Sequence, residues 1–182
     1  MTPTAGGWSV ERLFRLTRAE YYADFLITPP LTLYAAARLW PRADWSSPVA
    51  VVTGFAAWTL YEYALHRFVM HRRPMVRFHA MHHRDPLAYV AQHPALTLAT
   101  YVALWATLGT AQSFVALGFS VGYVWYAVVH TLLHYAGADR FAPLRRLREH
   151  HDGHHAWGGR NFGITTTAWD RLFGTDLVGG RP

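Results

Sequence analysis

The chain has 182 residues, carries a net charge of +6 and contains no cysteine. Its length predicts one domain over residues 1–182, and the missing cysteine excludes disulfides, thiolate zinc sites and iron–sulfur clusters. All 17 basic residues are arginines, interleaved with long apolar runs. This pattern is typical of the flanks of membrane helices, so we expect a membrane protein and no nucleic-acid partner.

Four apolar runs predict an all-α integral membrane protein with four transmembrane helices. The runs cover about residues 24–40, 48–66, 94–110 and 114–134. The first run is short and contains Pro29 and Pro30, so a kinked helix is expected there. Only a brief uncharged turn at 109–112 separates the third and fourth runs, which predicts an antiparallel hairpin.

The placement of the arginines predicts the orientation of these spans. With four spans, the N-terminus, the 66–93 loop and the tail share one side of the membrane, which carries every arginine except Arg38 and Arg42. The positive-inside rule makes that side cytoplasmic, on the inner membrane if the source is a bacterium. The histidines collect on the same side. The sequence therefore predicts a cytoplasmic, histidine-rich cap of helices and loops over 66–93 and 134–175.

Eleven of the twelve histidines fall in two tight groups, five within residues 66–83 and six within residues 130–155, and we interpret these groups as a polynuclear metal site. In the triplets that begin at His79 and His151, positions i, i+3 and i+4 share one helix face, and His130 pairs with a histidine four residues later. His66 and His71 are five residues apart, so they either bind different ions or lie where the helix breaks or bulges. The first group consists of His66, His71, His79, His82 and His83, and the second consists of His130, His134, His150, His151, His154 and His155.

The number and kind of these ligands limit the metal. The grouped imidazoles are too many for one structural zinc ion, which takes four ligands, so a polynuclear site is predicted. An all-nitrogen donor set suits iron, zinc or copper and not magnesium or calcium. Affinity alone would favour zinc or copper over ferrous iron.

The order HRFVMH, HAMHH, HTLLH and HDGHH resembles the membrane-bound fatty acid hydroxylase and sterol desaturase superfamily, whose histidine boxes bind two non-haem irons. The flanking stretches WTLYEYALHRFVMH and NFGITTTAWDRLFGT are most similar to its fatty acid 2-hydroxylase branch, and the resemblance covers about residues 50–175. It implies that two iron ions, which zinc can replace in a preparation, are held by His66, His71, His79, His82, His83, His130, His134, His151, His154 and His155, and that O2 is the co-substrate. His93 and His150 lie outside the family pattern and are not expected to bind metal.

The resemblance implies an O2-dependent di-iron lipid hydroxylase that oxidises a C–H bond of a fatty acyl or related lipid. The short gap between His71 and His79 departs from the 2-hydroxylases and is closer to carotenoid hydroxylases. A lipid desaturase, for a sterol-like or fatty acyl substrate, or a carotenoid ring hydroxylase therefore remains an alternative. Outside the enzymes, the alternative is a membrane metal-binding or transport protein.

The expected partners are a lipid substrate in the bilayer and a separate electron donor. The fused cytochrome b-type haem domain of many eukaryotic relatives is absent from the sequence, so we expect a cytochrome b-type protein, or a ferredoxin and a reductase. The substrate would lie between the spans, against apolar side chains. The expected walls are Phe55, Trp58, Leu104, Trp105, Phe119 and Trp125.

Two acidic residues are candidates for orienting the ligands. Glu62 lies one turn before His66 in an apolar run, where an ionisable group is costly and indicates a function. We expect its carboxylate to accept a hydrogen bond from a ligand imidazole, with packing against hydroxyl or indole groups as the alternative. Asp170 has the same two interpretations, and its anchoring to Arg171 or to the backbone is favoured.

Overall fold

The computed structural model describes residues 13–89, 91–108, 113–135 and 138–177, and its regular elements are helices. The predicted all-α class is confirmed. The turn expected at 109–112 lies outside the described residues. The seven α-helices are α1 Arg18–Leu39, α2 Ser47–Leu65, α3 Val76–Arg84, α4 Pro94–Leu108, α5 Ser113–His134, α6 Ala142–Trp157 and α7 Ala168–Leu172.

Helix α1 begins earlier than predicted, at Arg18, and runs through both prolines to Leu39. A capping box sets its start: the Thr17 hydroxyl accepts from the Glu20 backbone N–H at 3.3 Å, and the Thr17 N–H donates to the Glu20 carboxylate at 2.7 Å. These contacts satisfy N–H groups that the first helical turn leaves without partners. The apolar run alone placed the start too late because a capped polar turn precedes it.

Helix α5 lies against α1, α2 and α4 and is the central helix of the bundle. Its closest neighbour is α2, and glycines make that approach possible. A methyl group on Gly118 would overlap the Val51 backbone, and one on Gly54 would overlap the carbonyl oxygen of Val115. Small residues allow helix backbones to approach in this way.

The cap is tied to the bundle at two places. Residues 13–16 contact Tyr89 and Ala91, since the Leu16 N–H donates to the Tyr89 carbonyl at 2.8 Å and the Ala91 N–H to the Phe14 carbonyl at 3.0 Å. On the other side, Ile164 joins a buried apolar cluster with Val129 and Leu133 of α5. One contact holds the cap beside the start of α1, and the other holds it against the last turns of α5.

One described helix, Ser113–His134, is long and apolar enough to cross a membrane by length and composition, and the apolar helix segment Pro94–Thr107 is shorter. The other two predicted runs also form helices, α1 and α2. The four-span arrangement and the cytoplasmic side of the cap stay predictions.

The α2–α5 contact predicts that Gly118→Ala destabilises the protein. The added methyl group must displace the Val51 backbone, and overpacking of this kind costs about 1–3 kcal/mol. The check is the melting temperature in detergent. Gly159→Ala is the matched control, because the nearest atom to its added methyl group is 3.8 Å away. Equal melting temperatures for the two variants would contradict the close α2–α5 contact.

Candidate metal centre

The ten candidate histidines converge at the ends of α2 and α5, where α3 and α6 meet them, and they form two clusters. The first cluster consists of His66, His71, His79, His83 and His154. The second cluster consists of His82, His130, His134 and His151, together with His155, whose Nε2 lies 3.1 Å from that of His151.

The two triplets each contribute to both clusters. In α3, His79 and His83 face the first cluster and His82 faces the second. In α6, His154 belongs to the first cluster, whereas its neighbour His155 packs against the second. The clusters adjoin, since the rings of His83 and His155 are 4.5 Å apart. The shared face predicted for each triplet therefore points at the boundary between the clusters.

A π-helical turn settles the spacing of His66 and His71. After Leu65, α2 continues as a π-helix, His66–Met70, and ends at His71. The wider turn brings residues five apart onto the same side, and the two rings lie 5.1 Å apart. Of the two possibilities that the sequence left open, the break is the one observed, and both rings belong to the first cluster.

Backbone carbonyls fix the tautomers of two histidines in the first cluster. The Nδ1–H of His66 donates to the carbonyl oxygen of Phe162 at 2.6 Å, and that of His154 donates to the carbonyl of Arg160 at 2.7 Å. A carbonyl oxygen only accepts, so in each ring Nδ1 carries the proton and Nε2 presents a lone pair. Both lone pairs are directed at other imidazoles of the cluster.

The Nε2 atoms approach one another closely. In the first cluster, the pairs are His66–His79 at 2.9 Å, His79–His83 at 3.0 Å, His71–His154 at 3.1 Å and His83–His154 at 3.1 Å. In the second cluster, they are His130–His134 at 3.0 Å, His134–His151 at 3.0 Å and His151–His155 at 3.1 Å.

This geometry fits cations held by several imidazoles. With a metal–nitrogen distance of about 2.1 Å, neighbouring ligand nitrogens are about 3.0 Å apart at right angles and about 3.4 Å apart in a tetrahedron. The observed separations of 2.9–3.1 Å are close to these spacings, so the nitrogens of each cluster are placed to share a cation. His82 supports this, because it is buried and neither ring nitrogen has a hydrogen-bond partner within the described ranges.

Lowered pKa values keep His79, His154 and His155 neutral at physiological pH, as ligands must be. Burial lowers the pKa of His154 to about 3, and burial also lowers the pKa of His155 to about 4. For His79, burial and the neighbouring imidazoles lower the pKa further still. Protons therefore do not compete with a metal for these nitrogens near pH 7.

Glu62 does not contact an imidazole, which corrects our expectation. Its carboxylate accepts the backbone N–H groups of Ile164 and Thr165 at 2.7 and 3.0 Å, and the Thr165 hydroxyl at 2.6 Å. The sequence could not show this because the partners lie about a hundred residues away. Glu62 thus holds the loop over the first cluster and acts on the histidines through that loop.

Asp170 anchors the same loop through the backbone, as favoured from the sequence. It accepts the N–H groups of Phe162 and Gly163 at 2.8 and 2.7 Å and the Thr175 hydroxyl at 2.7 Å. The Phe162 carbonyl accepts a hydrogen bond from the Nδ1–H of His66. Asp170 holds the Phe162 backbone, so it positions that imidazole indirectly. The residue types did not indicate that the backbone carbonyls of Arg160 and Phe162 orient His154 and His66. The stretch NFGITTTAWDRLFGT was the available signal.

The two histidines outside the family pattern are also outside both clusters. The Nε2 of His150 lies 3.1 Å from the Asp170 carboxylate, and its Nδ1 lies 3.4 Å from that of Asp176. His93 lies 3.6 Å from the Glu20 carboxylate and accepts the Ala95 N–H.

A cavity of about 420 Å³ opens from the histidines into the helix bundle. Its lining includes His66 and His79 of the first cluster and His82, His130 and His151 of the second. Of the six predicted walls, Trp58, Leu104 and Phe119 line the cavity. Trp125 instead faces outward and is 46% exposed. The cavity has the shape and the mostly apolar walls needed to hold a hydrocarbon chain beside the histidines.

The architecture defines a class of helical protein in which two adjoining imidazole clusters open onto an apolar cavity. A fatty acid hydroxylase family model matches residues 51–175. The chain belongs to the fatty acid hydroxylase family, and the predicted family is confirmed.

Several relatives support this assignment. A dihydroceramide fatty acyl 2-hydroxylase of Arabidopsis thaliana is 29% identical over 88% of this chain and 75% of its own length. A fatty acid 2-hydroxylase of Macaca fascicularis is 31% identical over 96% of this chain, which spans 49% of that relative. The solved structure of full-length scs7p, with only its hydroxylase domain visible, has a TM-score of 0.73 and 26% identity. That likeness covers 87% of this chain and 67% of the other.

The two clusters predict separate losses of metal. His154→Ala removes a ligand of the first cluster and His134→Ala one of the second, so each variant should retain about one ion where the parent protein holds about two. Elemental analysis of the purified proteins measures this. His93→Ala is the control and should keep the full content. If all three variants hold the same amount of metal, the cluster assignment is wrong.

Asp170→Ala should lower both stability and metal retention. It leaves two buried backbone N–H groups, a hydroxyl and a buried histidine without their acceptor, which costs about 3 kcal/mol or more. The readouts are the melting temperature and the rate at which a chelator removes metal. Asp152→Ala is the control, because Asp152 is exposed and pairs only at 3.7 Å with Arg148. Equal chelation rates for the two variants would argue against the anchoring role.

Proposed function

We propose that the protein is an O2-dependent di-iron hydroxylase that oxidises a C–H bond of a fatty acyl chain in a membrane lipid. The observation that carries the proposal is the apolar cavity ending at two histidine clusters. The relatives named as fatty acid and dihydroceramide fatty acyl 2-hydroxylases support the reaction class. Two irons bound by the ten imidazoles would supply the activation of O2 and of the C–H bond.

Other residues would bind the substrate and orient the ligand imidazoles. Trp58, Leu104 and Phe119 would hold the acyl chain and exclude water from it. The carbonyls of Arg160 and Phe162 keep His154 and His66 in the tautomer that presents Nε2 to a metal. Zinc binds the same nitrogen donors. Which metal occupies the site therefore depends on the supply of each metal as well as on its affinity.

We further propose that α1, α2, α4 and α5 span the membrane and that the cap lies on the cytoplasmic side, with residues 1–182 acting as one domain. The arginine distribution and the apolar composition of α5 support this arrangement. Electrons would come from a separate donor protein. An open cleft beside His71, lined by Arg67 and Arg72, suits an acidic donor surface.

The proposed activity is tested with purified, iron-loaded protein, a reduced electron donor and isotopically labelled O2. Mass spectrometry should find one labelled oxygen atom in the lipid product. His82→Ala and His154→Ala should abolish the product, because each removes a ligand from one cluster, whereas His93→Ala should retain it.

Other outcomes would identify the alternatives. Loss of two hydrogens without gain of oxygen would show a desaturase. Uptake of labelled iron into vesicles containing the protein, without any lipid product, would identify the protein as a transporter and reject the hydroxylase proposal.

A further inference from the structure

Helix α7 packs beside α2, some distance from the histidine end of that helix. The indole N–H of Trp169 donates to the Thr59 hydroxyl at 3.1 Å, and the ring of Phe173 stacks on that of Tyr63 with 5.4 Å between the ring centres. Thr59 precedes His66 by seven residues, which corresponds to about two turns or roughly 10 Å along α2. The chain that leaves the histidine cap therefore returns along α2, towards the middle of that helix.

The face of α2 that α7 covers continues as an exposed apolar stripe. Residues at intervals of three or four share one face of a helix. Along α2, such a row is formed by Val52, Ala56, Thr59 and Tyr63. Thr59 and Tyr63 lie against α7 and are 8% and 1% exposed, whereas Val52 is 67% exposed and Ala56 is exposed as well. Because α2 is proposed to span the membrane, this stripe would face lipid, and α7 lies on the same side of the helix.

The outward face of α7 is apolar. Ala168 and Leu172 are four residues apart and share this face, and both are exposed, Leu172 to 68%. Phe173, directly after the helix, is 49% exposed. Asp170 is buried on the inner side, where it holds the loop over the first cluster. A short helix with one apolar face and one anchored face is typical of helices that lie in a membrane interface.

Arginines lie near this apolar face. The Arg67 guanidinium donates to the Tyr63 hydroxyl at 2.6 Å, and that of Arg160 donates to the Gly174 carbonyl at 2.6 Å. The side chain of Arg171, on α7 itself, is 72% exposed. Arginines attract anionic lipid headgroups, and their long side chains reach the headgroup level from an apolar surface. The charges and the apolar face therefore indicate the same occupant, a lipid surface.

We propose that α7 is embedded in the membrane interface, with Ala168 and Leu172 against the acyl chains and the neighbouring arginines at the headgroups. Lipid then covers the outer side of α7, while Glu62 and Asp170 hold the loop that follows the first cluster on the inner side. The bilayer thereby becomes part of the support of the metal site. This inference rests on the proposed membrane arrangement of α2, and its test separates the two.

The test measures lipid contact by electron paramagnetic resonance of the metal-loaded protein in vesicles of phosphatidylcholine and phosphatidylglycerol. The chain has no cysteine, so one introduced cysteine carries one nitroxide label. Leu172→Cys and Ala168→Cys report on α7. Val52→Cys is the reference for contact with acyl chains, and Asp152→Cys, exposed on α6, is the reference for water. Zinc fills the metal site in these samples because it is diamagnetic.

The readout compares collisions of the label with O2, which concentrates in hydrocarbon, and collisions with a water-soluble chromium complex. The ratio of the two collision rates should be several times higher at Leu172 and Ala168 than at Asp152. It should be highest at Val52, because α7 lies nearer the headgroups than the middle of α2. Metal content equal to that of the parent protein confirms that each labelled variant is folded.

A ratio at Leu172 and Ala168 as low as that at Asp152, with a high ratio at Val52, overturns the proposal and leaves the membrane arrangement of α2 intact. A low ratio at Val52 as well rejects that arrangement and this inference with it. If the Leu172 label is shielded from both reagents and its spectrum shows spin–spin broadening, a second copy of the chain covers α7, and the proposal is also overturned.

Discussion

The structure depends on lone pairs that face one another. Seven pairs of imidazole Nε2 atoms lie between 2.9 and 3.1 Å apart, and carbonyl groups hold two of these rings in the tautomer that directs a lone pair inward. Two lone pairs at this distance repel unless a proton or a cation lies between them. Burial lowers the pKa values of His154 and His155, so protons are disfavoured on these rings near neutral pH. A cation in each cluster is the arrangement that satisfies the geometry.

The rest of the fold keeps these rings in place. Glycine contacts bring α2 and α5 together, so that the histidines at the ends of both helices meet. The loop at 160–165 then crosses the first cluster, where the carboxylates of Glu62 and Asp170 hold its N–H groups and its carbonyls hold two imidazoles. Removing either acid would loosen the ligands without touching them. Residues far from the metal in sequence thus determine how firmly it is bound.

The sequence predicted the helical fold and the convergence of ten histidines, because helical spacing and charge placement are local properties. It could not assign each histidine to a cluster, since the boundary between the clusters depends on how α3 and α6 face each other. The sequence left open whether His66 and His71 bind different ions or lie where the helix is interrupted. It did not predict the π-helical turn after Leu65, because one extra residue in a turn has no clear sequence pattern. Glu62 was given the wrong partner, because the groups that its carboxylate accepts, the N–H groups of Ile164 and Thr165, lie about a hundred residues away in sequence.

The most direct test of the central claim is anomalous X-ray diffraction from crystals of the purified protein, with data collected on both sides of the iron absorption edge. The account predicts two separate peaks in the difference map, one enclosed by His66, His71, His79, His83 and His154 and the other by His82, His130, His134, His151 and His155. A single peak shared by all ten rings, or rings that turn apart with density for neither ion after iron loading, would contradict it.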